Sequence, residues 1–254
     1  MTVEDEWDFY SCRVDDAAAS IFLNLWFAKV APVPTAETLH WVRVLMRDAG
    51  EHGMGTSAEA DAMQPLEDSL EEHARRAELL YVGRMRNNGA WQWAFYGPAD
   101  RGDALAKHFT GLDGREIELG SKSDPGWDYY NEFLFPDPER FQWIQDRRVV
   151  DVLEEKGDAL ATPRRVDHWA YFHGADDRDA FVGAASREGF AAEPTHDEQG
   201  QFGAQVHRVD PVELDHIHGV VMQLVALAEV HGGDYDGWET SLERATASPA
   251  GGES

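Results

Sequence analysis

Gly232-Gly233-Asp234-Tyr235-Asp236-Gly237-Trp238-Glu239-Thr240 is the stretch on which the reading of the C-terminal half turns. It follows a long amphipathic segment, and Gly232-Gly233 offers the positive-φ positions that end a helix. Asp236-Gly237 is a turn signal. Two aromatics among three acids are too apolar for a free loop, and the glycines break a full strand. The stretch therefore predicts a short closing strand with a fixed kink, its Tyr235 and Trp238 rings held against something. Two uses follow: Trp238 closes a core, or Tyr235, Asp236, Gly237, Trp238 and Glu239 form a surface that contacts a partner.

Upstream, residues 211–231 predict a helix with Asp210 as its cap, Pro211 at the first position and Glu213 completing a capping box. Leu214, Ile217, Val221, Leu224 and Ala228 give it an apolar stripe at helical spacing. Before it, 166–173 predicts a strand, 177–187 a helix ended by Gly189, and 190–195 and 202–209 two more strands. The order strand, helix, strand, strand, helix, strand is that of a ferredoxin-like sandwich.

The first half carries the same order. Segments 7–14, 21–28 and 39–46 predict strands, and a helix runs through Leu66, Leu70 and Ala74. Pro65 fits the first turn of that helix, which leaves 59–64 as a separate turn. Asn88-Gly89 between 79–86 and 91–96 is a strong hairpin signal. A short helix at 103–109 and a strand at 116–120 complete the set. The expectation is an α+β chain of two ferredoxin-like α/β sandwich domains, the first with an extra N-terminal β-hairpin. The domains fall at 1–137 and 163–243. Between them lies a connecting helix and linker, 138–162, in which Phe141, Ile144 and Val152 make a loose stripe. Residues 244–254 are small and polar and read as a disordered tail.

Composition narrows the function. Of 254 residues, 22 are basic and 48 acidic, a net charge of −26. The acid excess holds on both sides of residue 160, which disfavours direct contact with nucleic acid and suits steering toward a basic protein partner. No apolar run reaches membrane-spanning length, and the acidic start Met-Thr-Val-Glu-Asp-Glu is unlike a signal peptide, so the expected location is cytoplasmic. A single cysteine, Cys12, excludes an internal disulfide and a multi-cysteine zinc site.

Candidate chemistry is sparse. His216 and His218 stand two apart on a helix and face different ways, so a shared metal is not expected. His168, His173 and His207 lie on predicted strands that can be neighbours, where zinc would need an open site and an oriented second shell. No nucleophile elbow or phosphate loop occurs. Asp124 and Asp128 beside Trp127 could in principle share acid–base work. Two loops rich in aromatics and acids, 124–130 and 234–239, suit partner contact better, because Tyr and Trp anchor interfaces and flanking acids select basic partners. Asp124 and Trp127 join Tyr235–Glu239 as candidate contact residues. No catalytic residue, metal ligand or cofactor site is assigned.

Ala228-Glu229-Val230-His231-Gly232-Gly233 followed by Tyr235-Asp236-Gly237-Trp238-Glu239 resembles the ribonuclease E inhibitor B (RraB-like) family over roughly residues 163–243. The resemblance implies a bacterial, non-catalytic regulator that binds and restrains an RNA-degrading endonuclease or its scaffold region. The first domain resembles bacterial domain-of-unknown-function family 695 over about residues 7–137. Leu66-Glu67-Asp68, Tyr81-Val82-Gly83-Arg84, Phe95-Tyr96 and Asp124-Pro125-Gly126-Trp127 carry that likeness, together with Tyr130, Phe133, Leu134 and Pro136. That family implies a boundary and no chemistry. The alternative function is a hydrolase-type enzyme using carboxylates or histidines in an inter-domain groove.

Overall fold

A computed structural model describes residues 3–109, 114–193, 196–198 and 201–244. The chain divides into two compact units, Met1–Asp137 and Pro138–Ser254. Each holds an antiparallel sheet with helices, so the α+β class expected from the sequence is present in both.

The first unit opens with a hairpin, β1 (Trp7–Val14) and β2 (Ala17–Asn24), in full register from Trp7↔Asn24 to Val14↔Ala17. Its turn is Asp15-Asp16, both at positive φ, which short polar side chains tolerate. The second strand was expected at 21–28. It ends at Asn24, because the Asn24 side chain accepts from the Trp26 backbone N–H at 3.0 Å and caps a 3-10 turn, Leu25–Lys29.

β3 (Thr38–Leu45), α1 (Ser57–Arg76), β4 (Leu80–Asn87), β5 (Ala90–Gly97), α2 (Gly102–Phe109) and β6 (Ile117–Ser123) follow. The sheet runs β1-β2-β4-β5-β3-β6. Asn88 and Gly89 both take positive φ at the β4–β5 turn, as their sequence predicts. Helix α1 starts earlier than expected. Thr56 caps it by accepting from the Glu59 N–H, so residues 59–64 are helical and Pro65 lies inside. Pro65 is tolerated there because it and Asp61, whose carbonyl loses its donor, are both on the solvent side.

Met63, Leu70 and Ala74 of α1 and Leu105 and Phe109 of α2 pack on Val42, Trp91, Trp93 and Phe95 of the sheet. Phe27, Trp127 and Tyr130, all outside the strands, gather with Tyr96 of β5 in a second aromatic group, with Tyr96 and Trp127 stacked at 4.0 Å. A π-helical turn, Tyr129–Leu134, ties this group to the hairpin: Tyr10 donates to the Leu134 carbonyl and Tyr130 to the Asn24 carbonyl.

The second unit begins with α3 (Pro138–Glu155), then β7 (Arg164–Phe172), α4 (Ala175–Arg187), β8 (Ala191–Ala192), β9 (His196–Glu198), β10 (Gln201–Asp210), α5 (Leu214–Val230) and β11 (Gly233–Thr240). Strand β7 alternates strictly: Arg164, Val166, His168, Ala170 and Phe172 are buried and the residues between them are not. The sheet runs β11-β7-β10-β8, with β9 on β10. Taken in chain order, this is fourth, first, third, second, and β6-β3-β5-β4 in the first unit follows the same sequence.

Two expectations change here. Asp210 does not cap α5, which starts at Leu214 with no side-chain cap. Asp210 ends β10, and its carboxylate is taken by Arg208 at 2.8 Å and His216 at 3.0 Å. Strand 190–195 shrinks to Ala191–Ala192, and Thr195 lies outside the described residues, as does the tail 245–254.

The helix read as a connector is built into the second core. Val150 and Leu153 belong to the cluster with Val166, Phe181, Val221, Leu224 and Trp238, and Ile144 is fully buried. Val152, expected on the stripe, is 45% exposed. At the strand end, Arg164 sits against Asp158 with both side chains buried, and Asp158 also accepts from the Glu243 N–H. We expect fragment 138–254 to unfold cooperatively on its own. Fragment 163–254, stripped of α3, should give a broad, weak transition, since losing two or three buried aliphatic side chains costs about 2–5 kcal/mol each. Chemical denaturation of the two fragments checks this, and equal midpoints would refute it.

Candidate functional site

The closing stretch forms β11, and its kink is a β-bulge. Tyr235 pairs with Ala170 and Gly237 with Trp169, which leaves Asp236 as the extra residue. Side chains alternate along a strand, so residues 235 and 238 would ordinarily point to opposite faces. The inserted residue resets the alternation. Tyr235 and Trp238 both meet the buried face of β7, opposite Ala170 and His168. Gly237 makes this possible at φ +147, a conformation that L side chains rarely adopt. Gly233 has a different reason: a Cβ there would lie 2.2 Å from the Phe172 ring.

Behind the bulge lies a chain of buried polar groups. The Trp238 indole donates to Asp146 Oδ1 at 3.0 Å. The same oxygen accepts from Gln142 Nε2 at 2.9 Å, one helical turn back on α3. The other, Oδ2, accepts from His218 Nδ1 of α5 at 2.8 Å. Asp146 thus joins α3, α5 and β11. Burial raises its pKa, and the three donors oppose that rise. His218 and His216, two apart on the helix, reach different acids, Asp146 and Asp210.

His168 and Tyr235 form a second pair. The His168 Nδ1 lies 2.9 Å from the Tyr235 hydroxyl. Burial pushes the Tyr235 phenol up and keeps it protonated; the other nitrogen of the His168 ring is Nε2. That Nε2 is buried with no partner among the described residues. Burial also drives the His168 pKa down to about 4 and keeps the ring neutral.

Above these groups an open groove of about 440 Å³ runs between α3 and β11. Phe141, Gln142, Gln145 and Val149 make one wall, Tyr235, Asp236 and Gly237 the other, with Asp146 and Trp238 at the base. Asp236 is exposed on the rim, and Asp234 and Glu239 are exposed along the same strand.

The structure therefore separates the candidate contact residues. Tyr235, Asp236 and Gly237 line the groove. Trp238 is 8% exposed and serves first as a core residue, while Glu239 lies farther along, opposite Asp167. Asp124 and Trp127 present no surface to a partner. Trp127 is fully buried, and its indole donates to the Ala36 carbonyl at 2.8 Å. Asp124 is buried as well and accepts from the Tyr96 hydroxyl at 2.6 Å and from the backbone of Asp128 and Tyr129. Both residues hold the 124–130 loop in place. Trp127 does so at positive φ.

Sequence reasoning missed Asp146, Gln142 and Gln145, and considered His168 only as a zinc ligand. One signal was available: a buried indole needs an acceptor, and Gln142 and Asp146 stand four apart on one helix face. Among the described residues, no three His, Cys, Asp or Glu side chains group as a metal site, and no helix is long and apolar enough to cross a membrane.

The comparisons with known proteins divide at the same place as the fold. The chain belongs to the Family of unknown function (DUF695), whose model matches residues 5–135, just over half of it. Residues 143–240 match the model of Regulator of ribonuclease activity B. That second match begins inside α3 and ends with β11, so it contains the β11 wall, the base, and Gln145 and Val149 of the α3 wall, while Phe141 and Gln142 lie just before it. No curated protein matches the chain.

Two measurements test the network. Trp238→Ala should destabilise the second unit by about 3–5 kcal/mol, the usual cost of deleting a large buried aromatic. A loss under 1 kcal/mol in urea denaturation would remove Trp238 from the core. His168 should make the same unit acid-sensitive. Unfolded, the ring takes a proton near its ordinary pKa of 6.5; folded, it does so only near about 4. Between those values the unfolded chain binds more protons, so stability is full above pH 6.5 and falls on acidification, by roughly 3 kcal/mol in all. Asp146, with its raised pKa, acts in the opposite sense. His168→Phe should flatten the fall in a series of melts across this range.

Proposed function

We propose that the second unit is a non-catalytic, protein-binding regulator whose target is an RNA-degrading endonuclease, and that the target docks in the groove between α3 and β11. The observation that carries this reading is the coincidence of groove and family: the β11 wall, the base, and Gln145 and Val149 of the α3 wall lie inside the stretch that matches Regulator of ribonuclease activity B. The groove's chemistry supports binding over turnover. Its one buried acid, Asp146, has three donors on its two oxygens and is committed to holding helices and strand together. What remains for a partner is the side of an aromatic ring, two amides and an acidic rim.

The rim and the net charge of −26 select a basic segment of the target. Tyr235 gives that segment a rigid wall, Gln142 and Gln145 give it donors and acceptors, and Asp236 gives it a charge to pair with. Exposed charges are screened over about 8 Å at physiological ionic strength, so the association should weaken as salt rises. The chemistry of the groove calls for a basic, extended stretch of the target.

The test mixes the purified full chain with the principal RNA-degrading endonuclease of the same organism and follows both binding and RNA cleavage. The expected result is slower cleavage at stoichiometric chain and binding that falls with salt. The double change Asp236→Ala with Gln145→Ala should leave the melting temperature unchanged and weaken binding at least tenfold, about 1.4 kcal/mol. Undiminished binding by a normally folded double variant would place the contact elsewhere. Tight RNA binding by the chain alone at physiological salt would replace the reading with a nucleic-acid one.

A further inference from the structure

We propose that Arg84, Arg86 and Trp91 of the first unit form a binding site for an oxyanion, a phosphate or a carboxylate group. The site is independent of the regulator reading, since it lies on the other unit.

Arg84 and Arg86 stand two apart on β4 and so share a face, opposite Trp93 and Trp91 of β5. Both guanidinium carbons lie 5.1 Å from the Trp91 ring centre, and that of Arg84 is also 4.9 Å from the centre of Phe22. Two like charges thus share one aromatic clamp. A single carboxylate answers them. Glu67 of α1 sits 2.6 Å from Arg84 Nε, and the same oxygen also takes the Trp93 indole N–H at 2.8 Å.

What is missing is an acceptor. Arg84 Nη1, Arg86 Nε and Trp91 Nε1 are all buried, and none has a hydrogen-bond partner among the described residues. Trp91 is 2% exposed, so its indole N–H is lost to solvent. A buried donor left unmade is costly, and three in one cluster call for one shared acceptor. Arg86 has no carboxylate partner among the described residues. That is unusual in this acid-rich chain, where Arg43, Arg115, Arg164, Arg165 and Arg208 each face an acid. Burial and the neighbouring Arg84 pull the Arg86 pKa down, and the Glu67 carboxylate offsets only part of that fall.

The donor set defines the ligand. It places two guanidinium cations and an indole N–H against one carboxylate, Glu67, a net positive charge that excludes a metal cation. Water can take one or two of the protons but leaves two guanidinium charges facing the single carboxylate of Glu67, one positive charge in excess. An oxyanion supplies both the charge and several lone pairs, and guanidinium forks match carboxylate and phosphate oxygens. The orphan atoms have no accessible surface, so the ion enters by rotation of the Arg86 side chain, the nearer of the two to the Asn88-Gly89 turn. Both arginines are only partly buried.

Isothermal titration of the full chain with inorganic phosphate and, separately, acetate tests this, with chloride at matched ionic strength as the baseline. The expected result is saturable binding of one ion per chain by at least one of the two, with a raised melting temperature. Saturation by phosphate alone identifies the group as phosphate, and by acetate alone or by both as a carboxylate-sized oxyanion. Arg86→Gln should weaken binding at least tenfold in a chain that keeps its circular dichroism. Arg43→Gln, at an exposed ion pair on another strand, should bind as the parent does. Absence of saturable binding to either ion overturns the proposal, and so does binding that Arg86→Gln leaves intact.

Discussion

The second unit depends on one buried carboxylate. Asp146 sits in the core at a cost, because a charge removed from water must be repaid by hydrogen bonds. Its donors come from α3 itself, from α5 and from β11, so the repayment is made only when all three elements are assembled. Apolar packing alone would let α3 slide along α5 with little penalty. The Asp146 bonds have direction and length, and they fix where α3 lies against β11. The width of the groove between those two elements follows from that position.

A parallel arrangement in the first unit has a different purpose. Asp124 gathers the Tyr96 hydroxyl and two backbone N–H groups, and Trp127 stacks on the Tyr96 ring. The aromatic loop that seems made for contact is folded inward and closes a core. The two loops share acids and aromatics in the sequence, yet one seals its unit entirely while the other leaves Tyr235 and Asp236 at a groove. Composition cannot separate them. The difference lies in Gly237, which adds a residue to a paired strand, against a Trp127 that turns a loop back on itself.

Much of the fold was legible in the sequence. The Asn88-Gly89 hairpin, the alternation of β7 and the apolar stripe of α5 are local patterns with one structural reading each. The misreadings have local causes too. Asn24 ended a strand early by capping the next turn, Thr56 outbid Pro65 as the start of α1, and Asp210 gave its carboxylate to Arg208 and His216 rather than to a helix. Each is a polar side chain with more than one partner within reach, and tertiary neighbours choose between them. The candidate site was half legible. Its β11 wall announced itself by unusual composition, but α3 looked like a connector because its burial is shared between aliphatic residues and one acid. No pattern of hydrophobicity marks an aspartate as core.

The bulge in β11 has a consequence for how the molecule behaves in a crowd. β11 terminates its sheet, with one flank bonded to β7 and the other unpaired among the described residues. An open flank of main-chain donors and acceptors invites another chain to pair with it, and such pairing is how sheet proteins aggregate. Here Asp236 interrupts the row of bonding groups near its middle, and Asp234 and Glu239 place charge on either side. A second copy of the strand would meet a broken ladder and repelling acids. The kink that turns Tyr235 and Trp238 inward therefore also keeps neighbouring molecules apart, and it directs any visitor into the groove instead of alongside the strand.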